Sequence, residues 1–258
     1  GCGVGGDGIR FVELHDKLNF YEAIERLAHD HGIAVEYDDA YTPEQRKELQ
    51  DKMVQYRQIL QYTHEYYMKA LARNPDALEF LAQRGVSQET IDTYQLGYAP
   101  ADWQGVTPGI IERGWYEPAL RLGIIATTEG RNYDVYRNRC IIPITDRQGQ
   151  LIGFAGRAMG DDKPKYINPR ESDVYHKSGI WYGWDTAIKT ISREQNVYIV
   201  EGYFDVISMQ RRGVPNTIAA CGTSIDIKQW KLLKAHTHTV SLMLDGDAAG
   251  QEKLLKLT

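Results

Sequence analysis

The chain has 258 residues, 42% hydrophobic and 25% charged, with a formal net charge of −5. These proportions suit a soluble globular chain of one large or two modest domains, and they exclude collagenous and disordered classes. No apolar run approaches the roughly 20 residues that a membrane-spanning helix needs, so no membrane is expected as a partner.

The charge is unevenly spread. Glu13 to Asp51 holds eleven acids against four bases, whereas Arg137 to Arg170 holds seven bases against three acids. An acidic total therefore conceals a basic surface. The three cysteines, Cys2, Cys140 and Cys221, are odd in number and far apart. They do not form a disulfide framework, and a reducing cytoplasm is the expected location. The chain opens without Met and stops at Thr258 inside an expected helix, so both ends are expected to be cut.

In chain order, Cys2 sits in the glycine-rich stretch GCGVGGDG, which reads either as a plain loop or as the last ligand of a zinc ribbon. His15, His29 and His31 lack matching cysteine spacing and read as helix-surface residues. Ile9–Leu14 reads as a helix. Phe20–His31 carries apolar residues at Phe20, Ala23, Ile24, Leu27 and Ala28, an amphipathic stripe that Gly32 should cap. Ile33–Tyr37 reads as a short strand-like end. Thr42-Pro43 then starts a long helix to about Ala72. Its aromatic stripe of Tyr56, Tyr62, Tyr66 and Tyr67 reads as core packing in preference to a base-stacking platform. Asn74-Pro75 breaks it; helices follow over Asp76–Arg84 and, with Ser87 as N-cap, over Ser87–Tyr94. Tyr98–Gly109 is expected to be turns.

From Asn132 the pattern changes to strand and turn. Cys140–Ile144 and Gln150–Ala155 form a hairpin around Asp146–Gly149. Lys163–Pro169 mixes bases, a tyrosine and an amide, which suits a sugar–phosphate backbone or simply a solvated loop. Two β-branched runs, Val197–Val200 and Val240–Leu244, read as buried parallel strands that end in Glu201-Gly202 and Asp245-Gly246-Asp247. Helices over Phe204–Arg212 and Asp226–His236 and a strand over Thr217–Cys221 lie between them. A β-α-β-α-β unit would bring the three carboxylates together at strand C-termini, where a hard divalent cation relieves their repulsion.

RNRCIIPITDRQGQLIGFAGRAMGDDKPKYINPRESDVYHKSGIWYG, then VEGYFDVI, ACGTSI and LDGDAAG, in that order, resembles the bacterial replicative DNA primases of the DnaG type. The E-G-x-x-D and D-G-D elements resemble the Toprim fold that these primases share with topoisomerases. GCGVGGDGIRFVE resembles the end of the primase zinc-binding domain, and FLAQRGVSQETIDTYQLGYAP the helical start of its polymerase core. The expected fold is mixed α+β and α/β: a helical N-terminal region and a basic β-hairpin subdomain, then a partial Toprim unit of Rossmann-like β-α-β-α-β order. The expected boundaries are 1–38 for the zinc-binding part, 39–43 for a linker, 44–194 for the N-terminal part of the polymerase core and 195–258 for Toprim.

The resemblance implies primer synthesis from NTPs on single-stranded DNA, with Glu201, Asp245 and Asp247 as catalytic acids that hold Mg²⁺ or Mn²⁺. It implies Cys2 as the last ligand of a Zn²⁺ site whose other ligands are absent. Arg84, Arg157 and Lys165 fall on the family's basic ridge for DNA and nucleotide, with Arg137, Arg139, Tyr166, Asn168 and Lys177 in adjoining motifs. At Arg84, complementing a helix C-terminus is the alternative role. An RNA primer and a replicative helicase are the further partners implied. The family's second acidic pair after D-G-D is absent, as is its helicase-interaction domain, so the chain is expected to be an incomplete enzyme. Competing readings are another Toprim enzyme (a topoisomerase or nuclease), the primase part of a phage primase-helicase, and a non-catalytic DNA-binding module.

Overall fold

A computed structural model describes residues 7–16, 20–33, 42–220 and 225–244. Two compact units divide the chain, Gly1–Asp51 and Lys52–Thr258. In the first, α1 (Gly8–Asp16) packs on α2 (Phe20–Asp30). The expected stripe of α2 turns inward: Ala23 and Ala28 are buried, and Ile24 and Leu27 are half-buried. Gly32 closes the helix at φ +64°, where the Ile33 amide donates to the Ala28 carbonyl, so a residue without Cβ suits this left-handed position. Ile33 lies in no strand; the rest of the expected strand-like end falls outside the described residues. The helix α3 spans Pro43–Ala72, as its start and stop signals require. Thr42 and Gln45 exchange side-chain and backbone bonds at its start, a capping box.

In the second unit, Tyr56, Ile59, Leu60 and Tyr67 of α3 are buried, and the Tyr67 and Phe154 rings meet edge-on at 5.5 Å. Tyr62 and Tyr66 pack at the margin of the same cluster, so the tyrosine stripe is core. Two short helices follow. The first, α4 (Pro75–Ala82), is capped by Asn74, whose Oδ1 accepts from the Ala77 amide; the second, α5 (Gln88–Thr93), is capped by Ser87. The segment expected to be turns instead holds β1 (Gly97–Ala99) and the start of α6 (Thr107–Glu112). Gly97 is required there, because a Cβ would lie 2.7 Å from that of Tyr67. The next elements are α7 (Tyr116–Arg121), β2 (Ile125–Thr128) and β3 (Arg131–Asp134). Buried Asp134, at the end of β3, accepts from the amides of Gly105, Val106 and Thr107 and from the Thr107 hydroxyl at 2.6–3.1 Å. One carboxylate thus holds the start of α6.

The hairpin forms as expected from β4 (Arg139–Thr145) and β5 (Leu151–Ala158). With β1 and β6 (Tyr166–Ile167) it makes an antiparallel sheet in the order β1-β4-β5-β6. Ile141 and Phe154 face the α3 side, whereas Cys140, Ile142 and Ala155 face a second cluster with Leu81 and Val206. Burial on both faces explains why the β4 run is apolar without alternation.

After α8 (Trp184–Glu194) come β7 (Asn196–Val200), α9 (Tyr203–Arg211), β8 (Thr217–Ala219), α10 (Ile227–Lys234) and β9 (Thr239–Met243). This is the expected β-α-β-α-β order. The sheet is parallel, in the order β8-β7-β9. Val200 and Ala219 pack with Val206 of α9, while Ile199 and Ile218 pack with Leu233 of α10, so the unit is wound on both faces. One expectation is corrected: β9 is not buried. Val240 is 37% and Met243 48% exposed. Among the described residues β9 is an edge strand that pairs with β7 alone, and one-sided pairing leaves its side chains partly in water.

Candidate functional site

The strand order reverses at β7, whose two neighbours are reached by crossovers in opposite directions. Open α/β sheets bind ligands at the C-terminal ends of strands at such a switch point. Glu201 follows the last residue of β7 and is half-buried there. Gly202 then caps α9, and its amide donates to Asp205 Oδ2 at 2.9 Å. The second acid of E-G-x-x-D therefore holds the turn that presents the first. Val200 pairs with Met243 in parallel register, so one further step aligns Glu201 with Leu244, the residue before Asp245. Asp245 and Asp247, like Cys2, lie outside the described residues.

Beside this turn lies a cationic cluster. Arg157 of β5 pairs with Tyr166 of β6, and its Nη1 donates to the Tyr166 hydroxyl at 2.6 Å. Its guanidinium lies 5.3 Å from the Tyr166 ring centre and 5.6 Å from that of Phe204, in the first turn of α9. Arg157 Nε is buried without a hydrogen-bond partner among the described residues. Arg84 stacks on Phe80 at 3.7 Å and donates to the Phe80 carbonyl, a C-terminal carbonyl of α4. Burial, and then the charge of Arg157, pull the Arg84 pKa down. Burial pushes the Cys140 thiol beneath them up to about 12, against the pull of both arginines. Tyr166 also lies 6.0 Å from the Tyr203 ring, and the Tyr203 hydroxyl donates to Asn168 Oδ1 at 2.9 Å.

The fold thus gathers Arg84, Arg157, Tyr166 and Asn168 at the Glu201 turn. It places the other bases elsewhere. Arg139 is buried at 4% exposure on the sheet face opposite Cys140, and its Nη1 donates to the Pro164 carbonyl at 2.9 Å. It holds the loop that carries Lys165. Arg137 stacks on Trp103 at 4.1 Å and donates to the Asp134 carbonyl. Lys165 is exposed immediately before Tyr166, and Lys177 is exposed in a 3₁₀ turn tied to Glu171. Sequence reasoning overlooked Phe80 and Phe204, the aromatic surfaces that seat the arginines, and Tyr203, which packs on Tyr166. The pair Tyr203-Phe204 directly after E-G was the available signal.

Glu201 offers hard carboxylate oxygens suited to a divalent cation. Among the described residues no three His, Cys, Asp or Glu side chains cluster closely enough to hold a metal. Residues 1–43 contain one cysteine, which can supply a single thiolate to a zinc site. His15 and His29 are exposed on α1 and α2 beside Asp16 and Asp30, as surface residues. Among the described residues no helix is long and apolar enough to cross a membrane.

Three family models match in succession: the CHC2 zinc finger over residues 1–43, the N-terminal domain of the DNA primase catalytic core over 66–188, and the Toprim domain over 195–258. The first implies zinc and the last a divalent metal. The DNA primase of Haemophilus influenzae is 35% identical over 98% of this chain and 43% of its own length. That of Escherichia coli K12 is 33% identical over 98% and 44%. The chain therefore spans less than half the length of these relatives. A structure of the zinc-binding and RNA polymerase domains of Aquifex aeolicus primase matches with TM-score 0.73 and 32% identity, over 99% of this chain and 61% of that one. A DnaG primase catalytic domain bound to ssDNA matches with TM-score 0.71 and 30% identity, over 80% and 66%. With its three regions matched in order and its mixed fold shared with primase catalytic cores, the chain belongs to the DnaG-type family of bacterial DNA primases.

Proposed function

We propose that this chain carries part of a centre for RNA primer synthesis on single-stranded DNA, by nucleotidyl transfer from NTPs. One observation carries the reading: the Arg157 guanidinium lies 5.6 Å from the ring of Phe204, three residues after Glu201. This contact supports a reading in which a phosphate-binding cation and a metal-binding carboxylate stand close together, on β5 and at the start of α9. In the reaction a ribonucleotide 3′-hydroxyl attacks the α-phosphorus of the next NTP in line, and pyrophosphate leaves.

Glu201, with Asp245 and Asp247, would hold Mg²⁺ or Mn²⁺, which when bound lowers the hydroxyl pKa and neutralises charge on the attacking and leaving oxygens. Arg157 and Arg84 grip phosphate oxygens through planar guanidinium forks. Lys165, Lys177 and Arg137 extend the cationic surface along the template. Arg139 acts through the loop it holds, and Asn168 ties β6 to α9 through Tyr203. Cys2 would supply one thiolate to zinc. On this reading residues 1–38 belong to the zinc-binding domain, 39–43 to a linker, 44–194 to the N-terminal polymerase core and 195–258 to Toprim. The whole protein would work in the cytoplasm beside a replicative helicase.

The test is Glu201→Gln in the full-length protein. NTP incorporation on a single-stranded template should fall at least about 100-fold, while single-strand binding stays near wild type. Near-normal synthesis would overturn the assignment. Relaxation or cleavage of supercoiled DNA by the wild type in place of incorporation would favour a topoisomerase or nuclease. DNA binding with no metal-dependent NTP binding would favour a non-catalytic module.

A further inference from the structure

We propose that the cleft between α3, α5, the β4–β5 turn and the start of α8 binds a small organic cation, an ammonium or guanidinium compound without phosphate. The cleft holds about 380 Å³ and is lined by neither Glu201, Arg84 nor Arg157. It is thus distinct from the site described above, and the proposal does not depend on primer synthesis.

Charge in the wall has one sign. Among the described residues Asp185 is the sole lining residue with a formal charge at neutral pH. One of its oxygens accepts from Thr145 Oγ1 at 3.0 Å, and the other has no hydrogen-bond partner among the described residues. No lysine, arginine or histidine among the described residues forms an ion pair with it. Asp146, in the adjoining turn, lies close enough for the two carboxylates to repel, although at Asp146 itself the attraction of Arg57 outweighs that repulsion. His64 contributes no charge, because burial lowers its pKa by more than the bond that its Nε2 donates to the Gln95 carbonyl at 2.8 Å raises it.

The remaining wall suits a cation as well. Tyr94 and Tyr182 supply aromatic rings, and Gln61, Gln95 and Gln150 supply carboxamide oxygens. A carboxylate beside aromatic rings with no resident cation attracts an ammonium or guanidinium through charge and ring quadrupole together. A polyphosphate would meet the Asp185 carboxylate and, among the described lining residues, no positive side chain. Asp185 also stands in the first turn of α8, where an acid complements the helix dipole. That role accounts for an acid at this position, but not for a cleft of tyrosines and carboxamides around it.

The experiment titrates agmatine into the isotope-labelled full chain at physiological salt, with amide shifts as the readout. Saturable shifts at Thr93, Thr145 and Thr186 are expected, and Asp185→Asn should weaken binding at least about tenfold. Gln61→Trp, at an exposed position on α3, should fill the cleft and block binding. It guards against misfolding of the Asp185 variant. Succinate, of opposite charge, should leave the cleft unshifted. A dissociation constant weaker than about 10 mM, undiminished binding by both variants, equal binding of succinate, or shifts spread over the acidic Glu13–Asp51 segment would each overturn the proposal.

Discussion

The antiparallel sheet β1-β4-β5-β6 is covered on both faces, whereas the parallel sheet β8-β7-β9 ends, among the described residues, in a strand half open to water. Both contribute charge to one site, by different means. In the antiparallel sheet, side-chain contacts aim the charge: the Arg157 guanidinium lies against Tyr166 and Phe204, and Arg139 is turned inward onto loop carbonyls. In the parallel sheet, backbone topology places Glu201 at the end of the central strand. Packing changes should therefore disturb the cations more than the carboxylate.

The largest contrast is in stability. Phe154→Ala, in the doubly covered sheet, should cost about 3–5 kcal/mol, while Val240→Ala on β9 should stay within about 0.5–1 kcal/mol. Urea denaturation measures both, and equal costs would break the comparison. Next comes aim. Tyr166→Phe deletes the oxygen that accepts from Arg157 and so frees the guanidinium from its set direction. Single-strand affinity should then fall about tenfold with the melting temperature nearly unchanged. Asp205→Ala, which removes the acceptor at the start of α9, should instead cost about 1 kcal/mol of stability.

A smaller effect separates the two regions by pH. Burial holds His64, beneath the antiparallel sheet, below its ordinary 6.5, so the unfolded chain binds that proton more readily. Its contribution is full above pH 6.5 and is lost as pH falls below that value. His64→Gln should flatten this part of a stability–pH curve, and an unchanged slope would contradict the assignment. The smallest effect belongs to Asp173, held below its ordinary 3.8 first by the bond from Lys52 and then by that from Tyr56. Its stabilisation is present above pH 3.8 and fades as pH falls through the lower folded value. The pair is exposed, so Asp173→Asn should shift acid unfolding only slightly.

Periodicity and local capping made the long elements legible. The ends of α3, the hairpin of β4 and β5, and the order β7-α9-β8-α10-β9 were all readable from neighbouring residues. No element was anticipated over α7, β2 or the 11-residue α8, and three very short elements, β1, β6 and α6, were also missed. None of those three has a period of its own. β1 and β6 form by pairing with β4 and β5, and α6 is held by Asp134, which is 27–29 residues away in sequence. The site divides in the same way. E-G at a strand end was visible, but the burial of Arg139 and the clamp on Arg157 depend on which sheet face each residue occupies and on what covers that face.

Sequence alone determined the class of chain, the acids and bases available for chemistry, and the wound order that puts Glu201 at a switch point. These follow from local pattern and chain order. Tertiary structure decided which bases stand beside that carboxylate, that β9 is half exposed, and that Asp185 lines a cleft with no basic side chain among its described lining residues. Each of those facts is a meeting of segments tens of residues apart, selected by packing that no local window contains.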